Sequence, residues 1–308
     1  MARGDWDLVV FHSTYIPAHW GVAAFLRKGS IPYVVTPRSG MTAGARALKR
    51  WKKRAGDLLG FRRMVRGARA VHYLTEVERA NSPRWCASSF VVGNGVDLPE
   101  WDSVRDRVRE EGVIRCLFIG RYAIRAKGLD RLLDAVEILH RSENTPAHPR
   151  WQVTLRGRGT PRDEQWLRHE IQTRNLDERV ELGGPVADRE KKELFSKADI
   201  FIHVSRFEGE PMAVLEALAH GVPAIVTEGT GLAEPLVRAK AGWRVGETGS
   251  IIADQLSRFE PARIPAYGRN ARTFAESRSW NNQAAKTLAC YQVMNRLLVV
   301  PELYYPEQ

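Results

Sequence analysis

The sequence of 308 residues is poor in three things, and each shortage narrows what the chain can be. Cysteine comes first: Cys86, Cys116 and Cys290 lie far apart with no Cys-x-x-Cys pair, so neither a redox motif nor a zinc site is indicated. The thiols read as reduced and structural. Apolar runs are also short. None approaches the length of about 20 residues that a membrane-spanning helix needs, and Arg3, Asp5 and Asp7 stand where a secretory leader would be apolar. These absences predict a soluble, cytoplasmic protein. Acid is the third shortage, with 36 Asp and Glu against 47 Lys and Arg, a formal net charge of +11. No Asp-x-Asp pair stands at the end of a candidate strand to hold a divalent ion, so no metal is expected.

The basic excess is local. Between Arg46 and Arg69 ten basic residues face the single acid Asp57. The same stretch carries Leu48, Trp51, Leu58, Leu59, Phe61 and Val65, so it reads as one or two basic amphipathic helices. A basic protein suits nucleic acid, an anionic membrane or a phosphate-bearing ligand. The aromatic stacking platforms and modules of nucleic-acid binders are missing, so no nucleic acid is expected. An anionic membrane surface fits the segment better, which makes the chain peripheral on the inner face of a membrane. The alternative is a solvated helix face, the commonest fate of a charge run.

Short β-branched runs alternate with longer helical patterns in both halves, the pattern of βαβ units and a parallel sheet. In the first half, strands are expected at Asp7 to His12, Tyr33 to Thr36, Ala70 to Leu74 and Ser89 to Val92. In the second, they are expected at Ile114 to Ile119, Gln152 to Leu155, Val180 to Leu182, Ile200 to Val204, Ala224 to Thr227 and Trp243 to Val245. Leu129, Leu132, Leu133, Val136 and Leu139 line one face of the clearest helix. Gly93-Asn94-Gly95-Val96-Asp97 and the polar stretch after it break the pattern. The expected domains are therefore residues 1–98 and 99–308, with a terminal helix from Trp280 to Leu298 in the second.

Doubly wound sheets bind ligands beyond the carboxyl ends of their strands, so the loops there carry the candidate site. Gly120-Arg121, followed by Lys127-Gly128, sets two cations around a loop that enters a helix, an arrangement that suits a diphosphate. In the run from Ser205 to Pro223, Pro211 suits a first helical turn and Gly221 a C-terminal cap, which bounds a helix over about 211 to 220. Its first amides, near Pro211, Met212 and Ala213, point to the ligand side. Glu208 and Gly209 lie just before it and Glu216 within it. Carboxylates accept charge-assisted bonds from sugar hydroxyls, so two beside a phosphate site indicate a nucleotide sugar. Gly183-Gly184-Pro185-Val186 is a tight turn whose backbone can face a base.

Taken together, these motifs resemble the retaining glycosyltransferases of family 4. Phe118-Ile119-Gly120-Arg121 with Lys127-Gly128-Leu129-Asp130 is similar to that family's arginine and lysine pair for the donor diphosphate, and Glu208 to Glu216 matches its E-x7-E motif. The resemblance implies that Glu208 contacts the donor sugar and Glu216 the ribose. It implies that Pro185 and Val186 lie near the base, and that the loop Thr230-Gly231-Leu232-Ala233-Glu234 closes over the nucleotide. It extends less closely to Asp7 through Asp97, where His12 ends a strand that faces the donor sugar and Asn94-Gly95-Val96-Asp97 resembles the interdomain signature. Arg38 is a departure, putting a fixed cation where relatives usually have a histidine before Gly-Met.

The implied fold is α/β of the GT-B kind: two Rossmann-like, doubly wound domains, the N-terminal one shortened because only six residues precede Asp7. The implied reaction moves a sugar from a nucleoside diphosphate to a glycan or lipid-linked acceptor with retention, with Glu208, Arg121, Lys127 and His12 as the catalytic candidates and no cofactor. A shortened first sheet invites completion by a homodimer or a partner chain. It also leaves open a non-catalytic nucleotide-sugar-binding or regulatory subunit.

Overall fold

The computed structural model describes residues 6–47, 50–100, 112–142 and 149–296. Among these the chain divides into two compact units. The first contains the residues up to Gly95 together with the helix Trp280–Arg296, and the second runs Val96–Ser279.

In the first unit β1 (Val9–His12), β2 (Tyr33–Thr36), β3 (Ala70–Tyr73) and β4 (Ser89–Val91) form a parallel sheet in simple chain order. His12 at the end of β1 is in register with Thr36 at the end of β2. β2 and β3 are buried throughout, as strands covered on both faces must be. The basic stretch folds as the helices Ala43–Ala47, Arg50–Gly56 and Arg62–Arg66, with a π-helical turn at Asp57–Phe61. Its apolar side chains split. Phe61 and Val65 join the core, whereas Trp51, Leu58 and Leu59 face outward. Leu48 lies outside the described residues.

The expected boundary is corrected at the terminal helix, which packs on the first unit, not the second. Tyr291 sets its ring edge against His72 and Phe90, with centroids 6.3 and 5.9 Å away, and Arg69 Nε donates to the Met294 carbonyl at 3.1 Å. A side chain on Gly95 would run into the Trp280 indole, so that approach requires glycine. Sequence neighbourhood assigned this helix to the wrong unit, because helical periodicity says nothing about which sheet a helix covers.

The second unit has β5 (Val113–Ile119), β6 (Arg150–Arg156), β7 (Val180–Gly183), β8 (Ile200–His203), β9 (Ala224–Thr227) and β10 (Gly242–Val245). They form one parallel sheet in the order β10-β9-β8-β5-β6-β7. Both faces are covered. Ile114, Cys116 and Phe118 of β5 join one core with Leu129, Leu132, Leu133, Val136 and Leu139, while the intervening Leu117 joins another with Phe201, Val214, Leu215 and Leu218. The period of two along the strand thus feeds two cores at once. Strand order reverses between β5 and β8, and the crevice beyond their carboxyl ends is where such a sheet takes a ligand.

Candidate functional site

The loops after β5 and β8 meet at that reversal. The helix Ile124–Lys127 is closed by Gly128, whose φ of +69° is left-handed. A Cβ on Gly128 would collide with the Val204 carbonyl, so glycine lets the Lys127 turn rest on the end of β8. Arg206 fastens the two loops. Its backbone N–H donates to Ala126 O at 3.0 Å, and its guanidinium donates to Arg125 O at 2.6 Å and to both oxygens of Asp130 at 2.7 Å. This fork against a carboxylate fixes direction as well as distance.

Glu208 is the centre of the arrangement. Its Oε2 accepts from Lys127 Nζ at 2.5 Å, His203 Nε2 at 2.8 Å and the Ser205 hydroxyl at 3.2 Å. Its backbone is held too: Glu208 N–H donates to Gly229 O at 3.0 Å, and Gly231 N–H donates to Glu208 O at 2.9 Å. The Thr227 hydroxyl donates to Ser205 O at 2.5 Å. Burial by itself would raise the Glu208 carboxyl, but His203 and Lys127 outweigh it and hold it at about 2. His203 is fully buried. Burial first, and the Lys127 charge next, keep its ring below the usual value against the pull of Glu208. The partners therefore assign a neutral imidazole that donates from Nε2, with Lys127 as the cation of the cluster.

The remaining candidates fall around this centre. Arg121 is exposed just past β5 and makes no ion pair or hydrogen bond among the described residues. Gly120 N–H donates to Arg156 O at 3.0 Å. Gly209 and Pro211 are buried at the entry to the helix Met212–Ala219. The amides of Val214 and Leu215 turn back to Pro211 O at 3.1 and 3.4 Å, which leaves those of Met212 and Ala213 as the open donors of the first turn. Glu216, on the same helix, meets Lys191 Nζ at 2.6 Å through Oε2. Pro185 and Val186 follow β7 at the sheet edge, where the Tyr122 hydroxyl of the loop after β5 donates to Gly183 O at 2.5 Å. His12 belongs to the first unit. It is exposed, and Arg38 Nη2 lies 3.4 Å from its Nδ1 while Arg38 Nη1 donates to Asn94 Oδ1 at 2.8 Å. Partial burial, then Arg38, hold the His12 ring below its usual value.

Sequence reasoning missed His203, Lys191 and the Arg206 to Asp130 clamp. His203 had a legible signal, a titratable side chain at the carboxyl end of an otherwise apolar strand. Lys191 had none, since its link to Glu216 crosses 25 residues of chain and exists only in the folded unit.

These features define an α/β protein with a polar, cation-bearing site at the switch point of a parallel sheet. Residues 100–259 match the family described as glycosyl transferases group 1, and residues 1–95 match the glycosyl transferase 4-like domain. The chain belongs to the group 1 glycosyl transferases. The mannosylfructose-phosphate synthase of Agrobacterium fabrum is 32% identical over 145 residues, covering 44% of this chain and 30% of that protein. Sucrose-phosphate synthase from Thermosynechococcus elongatus superposes with a TM-score of 0.76 at 19% identity, over 95% of this chain and 75% of the other. Anabaena HepE in complex with UDP gives 0.70 at 17% identity, over 92% and 79%. Both superpositions place the chain in the GT-B fold. The chain spans 30% to 58% of the length of the curated relatives it first matches.

Proposed function

We propose that this chain is a retaining glycosyltransferase whose second unit holds a nucleoside diphosphate sugar. The observation that carries this reading is the Lys127, His203 and Ser205 cluster on Glu208, set beside the open amides of Met212 and Ala213 at the switch point. As the glycosidic bond breaks, charge grows on the leaving diphosphate. Arg121, Lys127 and the two amides stabilise it, and stabilisation aimed at developing charge is the strongest device such a site has. Glu208 holds the sugar and the free oxygen of Glu216 takes a ribose hydroxyl. The leaving phosphate oxygen accepts the acceptor's proton on the same face, so retention needs no second acid or base and the step needs no metal. His12 is proposed as the first unit's contribution to turnover. The UDP held by the HepE structure supports a nucleoside diphosphate as the carrier.

The acceptor is proposed to be a glycan or lipid-linked molecule met at an anionic membrane surface. Support comes from Trp51, Leu58 and Leu59, which are 71%, 85% and 74% exposed amid the basic stretch. Among the described residues no helix is long and apolar enough to cross a membrane, so this contact would lie in the interface. A panel of nucleotide sugars, assayed for release of nucleoside diphosphate with and without acceptor and followed by the anomeric proton coupling of the product, tests the reaction. No release from any donor, or an inverted product, would overturn it.

A further inference from the structure

The first unit holds a cleft of about 350 Å³ lined by Ala43, Arg46, Ala47, Arg50, Lys53 and Arg54. Four of its six lining residues are cations, and the nearby acid, Asp57, is already engaged, with its carboxylate 2.6 Å from Arg46. Two of the cations are fixed by the fold. Arg46 is held by Asp57 and lies 5.0 Å over the Trp85 ring, while Lys53 donates to Ala45 O at 2.6 Å and sits 4.8 Å over the Tyr15 ring. The other two, Arg50 and Arg54, make no ion pair or hydrogen bond among the described residues.

Arg50, Lys53 and Arg54 occupy positions i, i+3 and i+4 of the helix Arg50–Gly56, so they share one face and repel each other. A solvated face would spread such charges. Here they converge on a concavity whose remaining walls are the small side chains of Ala43 and Ala47. Free guanidinium forks beside anchored cations suit one ligand chemistry, a phosphate ester with several oxygens to be bonded at once.

We infer that this cleft is a phosphate site, separate from the donor site of the second unit, and that it takes the phosphate of the acceptor or of a lipid headgroup. The choice between these sources rests on the proposed transferase reading, whereas the site itself does not. Mannosylfructose-phosphate synthase and sucrose-phosphate synthase both carry a phosphate ester in their names, in line with a phosphorylated acceptor or product.

The test is hydrogen exchange of the full chain over residues 43–56, with glucose 6-phosphate against glucose, and with phosphatidylglycerol vesicles against phosphatidylcholine vesicles. Protection by glucose 6-phosphate and by phosphatidylglycerol indicates a general phosphate ester site, and protection by the vesicles alone indicates a headgroup site. In either case R50Q/R54Q should weaken the protecting ligand about tenfold or more, while calorimetric binding of nucleoside diphosphate stays unchanged. Lys127→Ala should do the reverse, so failure of the donor site and failure of the cleft are read separately. No protection by glucose 6-phosphate or by phosphatidylglycerol beyond that given by glucose and zwitterionic phosphatidylcholine, or equal protection in R50Q/R54Q, overturns the assignment.

Discussion

Lys127 and Glu208 are 81 residues apart in the chain, yet the lysine Nζ lies 2.5 Å from the carboxylate Oε2. The pair joins the loop after β5 to the loop after β8, and each charge answers the other. A diphosphate arriving at the switch point would compete for Lys127. Lys127→Ala should therefore weaken nucleoside diphosphate binding roughly 10- to 100-fold, the value of one charge-assisted contact. Glu208→Ala should act mainly on turnover. Calorimetry on the first variant and single-turnover rates on the second check this, and unchanged affinity in Lys127→Ala would remove the lysine from the donor site.

Glu216 is pre-positioned in a different way. Lys191 holds one of its oxygens at 2.6 Å, and the proposed reading gives the other to a ribose hydroxyl. The pair is partly exposed, with side chains 24% and 30% accessible, so the contact is worth at most about 1 kcal/mol. Lys191→Gln should raise the nucleotide Kd by roughly fivefold or less, and Glu216→Ala by roughly tenfold or more. Equal losses in the two variants would mean that Lys191 meets the nucleotide itself.

Arg206 and Asp130 would act as positioning residues, because their polar groups are spent on each other and on the Arg125 carbonyl. Their forked pair at 2.7 Å ties the Lys127 loop to the Glu208 loop. A double-mutant cycle with Arg206→Ala and Asp130→Ala should give a coupling of about 0.5 to 3 kcal/mol in unfolding free energy. Nucleotide affinity should fall in both single variants and no further in the double. Additive losses in affinity would separate the clamp from the site.

The parts of this architecture legible in the sequence are those set by local rules. Among the described residues the ten strands lie where short β-branched runs predict them, and β2 and β9 match to the residue. Pro211 and Gly221 bracket the helix Met212–Ala219 because proline and glycine punctuate backbone directly. Strand order was not readable, and with it went the reversal at β5 and β8, which depends on packing of elements far apart in the chain. The placement of Trp280–Arg296 on the first unit was lost for the same reason. Charge pattern located the basic stretch but could not divide its apolar residues into Phe61 and Val65 inside and Trp51, Leu58 and Leu59 outside. Within the π-helical turn Asp57–Phe61 itself Leu58 and Leu59 face outward and Phe61 inward, a split that a regular helical period does not indicate.

Gly128 carries a requirement that substitution can expose. Its φ of +69° is costly for any residue with a Cβ, and the Val204 carbonyl occupies the place that a Cβ would take. Gly128→Ala should cost at least about 1 to 2 kcal/mol from the left-handed backbone alone, visible as a lower urea midpoint. It should also move Lys127 off Glu208 and so reduce nucleotide affinity. A variant with parental stability would show that the turn relaxes without loss.

The ionisation of Glu208 ties the site to acid stability. Its carboxyl is held at about 2 against an ordinary value of 4.5, since the bonds from His203 and Lys127 exceed the cost of burial. Above 4.5 both folded and unfolded chains carry the charge, and the native partners contribute in full. Between 4.5 and about 2 the unfolded chain binds a proton that the folded chain refuses, so the contribution declines as pH falls and is gone near the lower value. Glu208→Gln has no carboxyl to titrate. The gap in urea unfolding free energy between parent and variant should therefore shrink steadily as pH is lowered from 4.5 to about 3. Lys127→Ala removes one of its donors, so the decline should still begin near 4.5 but end at a higher pH and be smaller, since the folded carboxyl then titrates closer to its unfolded value. A gap that stays constant down to about pH 3 would mean that the Glu208 carboxylate is not held by its neighbours in the folded chain.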